Sequence, residues 1–111
     1  MRILIVDDDS TVRKTLSDMA RALQFEPIEA EDGEQALEKI RIYEPISAMI
    51  TDFQMPGING IQLIKTVRSI HPGMFIVLSS GDESAKGEAD LICPKPQGLQ
   101  LFRDLQIELQ Q

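Results

Sequence analysis

The stretch Ile3-Leu4-Ile5-Val6-Asp7-Asp8-Asp9 decides the fold. Four apolar residues in a row, three of them β-branched, leave no polar face and suit a strand buried on both sides of a sheet, which the acids then end. From Ser10 the period changes. Val12, Leu16, Met19, Ala20 and Leu23 recur at helical spacing, with Arg13, Lys14, Ser17 and Asp18 between them, so the spacing predicts an amphipathic helix directly behind the strand.

The same alternation repeats along the chain. Pro27 to Ala30 reads as a brief second strand, near a sheet edge because proline cannot donate to a ladder. Glu34 to Tyr43, with Ala36, Leu37 and Ile40 in register, predicts a second helix that Pro45 stops. Ile46 to Thr51 is a third strand, closed by Asp52 and a loop containing Met55-Pro56-Gly57 and Asn59-Gly60. Ile61, Ile64, Val67, Arg68 and Ile70 mark a third helix ending at His71-Pro72-Gly73, before a very apolar strand from Met74 to Leu78. Ser79-Ser80-Gly81-Asp82 ends that strand. Ala89 to Cys93 reads as a fifth strand, and Leu99, Phe102, Leu105 and Leu109 as a last helix reaching Gln111. Strands alternating with helices predict right-handed crossovers and an α/β fold, a parallel sheet wrapped on both faces. Such sheets bind ligands beyond the carboxyl ends of their strands. The acidic stops all fall on that edge.

Composition narrows the chemistry. At 111 residues the chain reads as one domain over positions 1–111, able to bury roughly two-thirds of its unfolded surface without staples. One cysteine and one histidine exclude a disulfide framework and a Cys/His zinc site, and any Ser/His/Asp triad would depend on His71. Eighteen acids against eleven bases, a net charge of -7, disfavour binding to nucleic acid or an anionic membrane surface. The apolar opening is too short for a signal peptide or a membrane span, so a cytoplasmic protein is expected.

Asp7, Asp8 and Asp52 end two different strands, and would share one pocket if those strands are neighbours. Clustered carboxylates repel unless a cation is present, and hard oxygen ligands with open positions suit Mg²⁺ together with phosphate oxygens. Taken alone, Asp7 to Asp9 could simply cap the first helix; Asp52 on a second strand end argues for a site. Ser79 ends the fourth strand and Lys95 follows the fifth, so a carboxylate, a hydroxyl and an ammonium converge as the parts of a phosphoaspartate site. His71 reads as a solvated turn histidine, Cys93 as a buried strand thiol, and Met19, Met49, Met55 and Met74 as core or site-lining residues. Lys14 and Thr15 suit either a solvated helix face or a kinase contact.

Through Ile3-Leu-Ile-Val-Asp-Asp-Asp9, Ile50-Thr-Asp-Phe-Gln-Met-Pro-Gly57 with Asn59-Gly60, and Cys93-Pro-Lys-Pro96, the chain resembles the receiver domain of two-component response regulators over essentially its whole length. The resemblance implies a doubly wound, flavodoxin-like, five-stranded parallel sheet in the order 2-1-3-4-5. It implies Asp52 as phosphoacceptor, Asp8 as a direct Mg²⁺ ligand, Asp7 acting through metal-bound water, and Gln54 offering its backbone carbonyl. Ser79 corresponds to the switch hydroxyl and Lys95 to the phosphate-contacting lysine, with a cis bond before Pro96. A phosphohistidine on a sensor histidine kinase or a histidine phosphotransfer protein would be the donor, and an unknown downstream protein the receiver of the signal. Such a chain is a switch and not an enzyme, apart from its own phosphoryl transfer and autodephosphorylation. Because the last helical pattern runs to Gln111, the signal is expected to leave through protein contacts, unless the chain is one module of a longer protein.

The chain departs from that family between its fourth and fifth strands. Only Ser79 to Glu88 separates them, and Gly81-Asp-Glu-Ser-Ala-Lys-Gly-Glu88 has no apolar stripe, whereas a parallel crossover usually takes a dozen residues or more. Helix 4 is therefore expected to be reduced to a loop with at most one turn. Ile92 replaces the aromatic residue usual on the fifth strand. These departures keep open a phosphorylation-independent pseudo-receiver that serves as an interaction scaffold. Asp7-Asp-Asp9-Ser-Thr11 also looks like the first motif of haloacid dehalogenase-like phosphatases, with Asp7 as nucleophile, although that reading leaves Asp52 unexplained.

Overall fold

The computed structural model describes residues 1–110, apart from the side chain at position 83. Strands β1 (Arg2–Val6), β2 (Glu26–Ala30), β3 (Ala48–Asp52), β4 (Phe75–Ser79) and β5 (Leu91–Ile92) alternate with helices α1 (Ser10–Ala22), α2 (Gly33–Ile42), α3 (Gly60–Ile70) and α4 (Leu99–Leu109). All strand pairings are parallel, and the order is β2-β1-β3-β4-β5. Pro27 therefore lies on an edge strand, where its missing N–H costs least.

The two-residue period of the strands divides the core. Leu4 and Val6 face one side with Ile28, Met49, Ile76 and Leu78, under the α3 residues Leu63, Ile64 and Val67. Ile3 and Ile5 face the other with Ile50 and Val77, under Leu16 and Ala20 of α1 and Leu101, Phe102 and Leu105 of α4. Each apolar run is thus buried on both sides, and the polar strand ends are left at the carboxyl edge.

The crossover from β4 to β5 contains one 3-10 turn, Glu83–Ala85, and no α-helix. In its place Arg68 of α3 donates to the carbonyls of Pro72, Met74 and Glu88 and pairs with Asp90, whose carboxylate also accepts from Ile76 N–H. Ala89 belongs to the core cluster that contains Leu63, Ile64 and Val67 of α3, and Ala85 and Ile92 pack against that cluster.

Several boundaries differ from the sequence expectation. The third strand starts at Ala48 rather than Ile46 and runs through Asp52, and the fourth runs one residue further to Ser79. The two C-terminal extensions have one cause: Asp52 and Ser79 are paired neighbours in the ladder, so each candidate side chain stands on the sheet and not in the loop after it. The fifth strand shrinks from Ala89–Cys93 to Leu91–Ile92, flanked by single backbone bonds from Asp90 N–H to Ile76 O and from Cys93 N–H to Leu78 O, while the Asp90 side chain takes Ile76 N–H. Cys93 is accordingly a half-buried thiol outside the strand. Burial, then the Asp104 charge, push that thiol up, which keeps it protonated. His71 is partly buried, with Nε2 3.2 Å from Glu44, rather than solvated. Lys14 pairs with Asp18 one turn along α1, and Thr15 is exposed. Two peptide bonds before proline are cis, Glu44–Pro45 and Lys95–Pro96.

Candidate functional site

The three aspartates after β1 divide the labour between them. Asp9 is the N-cap of α1, its carboxylate accepting from Thr11 and Val12 N–H, as helix termini require. Asp7 and Asp8 are left for the sheet edge. Asp7 is 2% exposed, with Oδ1 accepting from Asp9 N–H at 2.9 Å and Oδ2 lying 2.7 Å from Lys95 Nζ. Asp8 is exposed.

On the neighbouring strand, Asp52 Oδ1 accepts from Phe53 N–H at 2.8 Å and Oδ2 lies 3.2 Å from Lys95 Nζ. Asp52 is held from below by a close approach of α3. A Cβ on Gly60 would sit 2.2 Å from the Asp52 carbonyl oxygen, so only glycine admits the helix there, and Gly60 N–H bonds Phe53 O at 2.8 Å. Asn59 and Gln62 form a reciprocal capping box that fixes the start of α3. Gly57, with φ of 79°, makes the turn that brings the chain back.

One oxygen each from Asp7, Asp8 and Asp52 lies within 4.8 Å of the others. Three converging carboxylates with a single ammonium leave a net negative cup. Burial, then the Asp7 charge, push the Asp52 carboxyl above its ordinary value despite the opposing pull of Lys95 and Phe53 N–H. Burial alone would lower the Lys95 ammonium, but its bonds to Asp7 and Asp52 and their charges outweigh it and hold Lys95 above the usual lysine range. The donor set is all hard oxygen and the charge is unbalanced, so these residues fit a small divalent cation such as Mg²⁺. Lys95 remains as a fixed positive group beside Asp52.

Of the residues singled out in the sequence, Asp7, Asp8, Asp52 and Lys95 converge. Ser79 is beside Asp52 in the ladder and 6% exposed. Gln54 is exposed in the β3–α3 loop, two residues beyond Asp52. Three supporting residues escape a reading of the sequence. Arg13 Nη1 donates to the Asp7 carbonyl at 2.7 Å while its Nε pairs with Glu29, which ties α1 to the strand end; its position on the polar face of α1 gives no hint of this. Gly60 is readable only as a turn residue. Gln97 is 6% exposed and donates to Ser79 Oγ at 2.8 Å, a contact across 18 positions that no local pattern reports.

Comparison with known proteins agrees with this geometry. Residues 3–92 match the response regulator receiver domain family. Chemotaxis protein CheY1 of Helicobacter pylori is 41% identical over 70 residues, 62% of this chain and 56% of its own length. A cyclic di-GMP phosphodiesterase of Thermotoga maritima is 30% identical over 93% of this chain but only 29% of its own length. The chain thus spans about half, or less, of these relatives. Among solved structures, the response regulator TrrA of Thermotoga maritima, in complex with Mg²⁺ and BeF, superposes with a TM-score of 0.85 at 26% identity, covering 97% of both chains. The receiver domain of the hybrid histidine kinase CckA gives a TM-score of 0.81 at 30% identity over 100% of both chains. Fold, carboxylate cup and sequence agree: this chain belongs to the response regulator receiver domain family.

Proposed function

We propose that this chain is a phosphorylation-operated switch in which Asp52 accepts a phosphoryl group from a phosphohistidine. The observation that carries the reading is the Lys95 ammonium lying between Asp7 and Asp52, with Asp8 completing the cup. Asp7, Asp8, Asp52 and the Gln54 carbonyl would hold Mg²⁺, which when bound supplies positive charge to the phosphoryl oxygens. The Asp52 carboxylate attacks phosphorus, forming a P–O bond as the P–N bond to the donor imidazole breaks and the imidazole leaves. Lys95 neutralises charge on the transferred oxygens, and the Ser79 hydroxyl donates a hydrogen bond to one of them.

Asp52 suits the nucleophile's role better than Asp7 does. Each carboxylate has both oxygens engaged, but the Asp52 side chain is 17% exposed and that of Asp7 only 3%. The donor would be a sensor histidine kinase or a histidine phosphotransfer protein, and an unknown protein would read the phosphorylated state. Cytoplasmic placement belongs to the same reading; among the described residues no helix is long and apolar enough to cross a membrane. The helix-free crossover favours a second reading, a scaffold that works without phosphate.

Intact-mass measurement after treatment with acetyl phosphate and Mg²⁺ separates these readings. One added phosphoryl group, abolished by Asp52→Asn, is the expected result. An unmodified protein that also binds no Mg²⁺ selects the scaffold. Labelling that survives Asp52→Asn but not Asp7→Asn selects a haloacid dehalogenase-like reaction.

A further inference from the structure

Ser79 and Gln97 are each 6% exposed. Gln97 Nε2 donates to Ser79 Oγ at 2.8 Å and to the Cys93 carbonyl at 3.0 Å. The second bond fixes the first. A carbonyl can only accept, so the amide nitrogen and not its oxygen must face Cys93, and the same nitrogen then faces Ser79. A hydroxyl has two lone pairs and one proton. The amide occupies one lone pair, and no oxygen of the described residues accepts the Ser79 proton. That proton is left to donate at the edge where Ser79 is paired with Asp52.

We propose that Gln97 is a positioning residue for phosphoryl capture: its amide holds the Ser79 hydroxyl as a hydrogen-bond donor toward the group on Asp52. The inference rests on the reading of Asp52 as phosphoacceptor. Gln97 also links Ser79 to the turn that carries Lys95, because Cys93, Lys95 and Gln97 lie within five residues and Gln97 immediately precedes Gly98, the N-cap of α4. The two groups that contact the phosphoryl oxygens, a hydroxyl on β4 and an ammonium after β5, are thereby held in one frame. Gln97 makes no hydrogen bond to Asp7, Asp8 or Asp52, so its effect passes through Ser79.

The test is a titration with beryllofluoride in saturating Mg²⁺, followed by ¹⁹F NMR. Gln97→Met keeps the volume and removes the donor; it should weaken beryllofluoride binding about threefold to tenfold, the scale of one hydrogen bond, with Mg²⁺ affinity unchanged. In a Ser79→Ala background the same substitution should change nothing further. Gln97→Glu is nearly isosteric and carries the test should the methionine variant not fold. Its carboxylate accepts the one Ser79 proton, so binding should fall further than with methionine. Wild-type protein that binds beryllofluoride no more tightly than Gln97→Met overturns the inference, as does an equal loss in the Ser79→Ala background. Wild-type protein that binds none overturns the phosphoacceptor reading, and this inference with it.

Discussion

Arg68 and Asp90 are ion-paired across the one crossover that carries no α-helix. The pair holds together a region that a further crossover helix would otherwise cover. Its arginine gathers the carbonyls of Pro72, Met74 and Glu88, and its aspartate caps the amide of Ile76. Arg68→Met should lower the unfolding free energy by about 1–3 kcal/mol, because three carbonyls and a carboxylate lose a charged donor together. Asp90→Asn should cost less: the Asp90 side chain is 38% exposed, and an amide oxygen still accepts from Ile76. Urea unfolding of both variants measures the difference, and equal stability of Arg68→Met and wild type would contradict a bracing role for the pair.

Asp52 makes stability depend on pH in a definite direction. Burial and the Asp7 charge raise its carboxyl in the folded state, so the folded protein binds more protons than the unfolded chain between the ordinary and the raised values. Stability contributed by this group is therefore lost as pH rises through that interval, and at neutral pH its ionised form is a net cost. Asp52→Asn should raise Tm at neutral pH in a chelator, and the gain should shrink as pH falls below the ordinary carboxylate range. Saturating Mg²⁺ should stabilise the wild type more than the variant. Calorimetric melts across pH, with and without the ion, test both statements; a lower Tm for Asp52→Asn in chelator would show that pairing with Lys95 outweighs burial.

Lys95 has two duties that one substitution separates. In the proposed transfer its ammonium would neutralise phosphoryl oxygens, and in the resting protein it already screens Asp7 and Asp52. Lys95→Met should slow labelling by acetyl phosphate on the order of 100-fold, the scale of losing one fixed charge-stabilising donor. Mg²⁺ should bind the variant at least as tightly, since a competing cation has gone. Labelling at the wild-type rate would remove Lys95 from the reaction.

How far the sequence can be read depends on whether the information is local. The run Ile3 to Val6 and the helical spacing after it report burial directly, and the alternation of such segments leads to the parallel sheet. The missing helix is equally visible, because Gly81 to Glu88 has no apolar stripe to bury. Asp9 cannot be separated from Asp7 and Asp8 by its neighbours, since all three are acids at the same turn and only the backbone direction makes one of them a cap. Asp52 and Ser79 read as the start of loops because polar side chains at strand ends carry no apolar period, although the ladder holds them. Gln97 and Arg68 act across 18 and 22 positions, and no spacing rule reaches that far.

Gly60 is where a single methyl group should damage fold and site together. The Cβ of alanine would stand 2.2 Å from the Asp52 carbonyl oxygen, 3.1 Å from its carbonyl carbon and 3.1 Å from the Phe53 α-carbon. All three are backbone atoms, so no side-chain rotation relieves the clash; α3 must move away from β3 or the end of β3 must shift. Gly60→Ala should therefore destabilise the protein by about 2–4 kcal/mol, the upper range for overpacking, despite the better helix propensity of alanine. Since the displaced backbone belongs to Asp52, Mg²⁺ affinity should fall as well, under conditions where the variant is still folded. Gly73→Ala is the control: no atom lies within 4 Å of the place its methyl group would take, and its effect should stay within about 0.5 kcal/mol. Denaturant unfolding and Mg²⁺ titration of the two variants decide the matter, and a Gly60→Ala protein as stable as Gly73→Ala would mean that α3 does not rest on the end of β3 at Asp52.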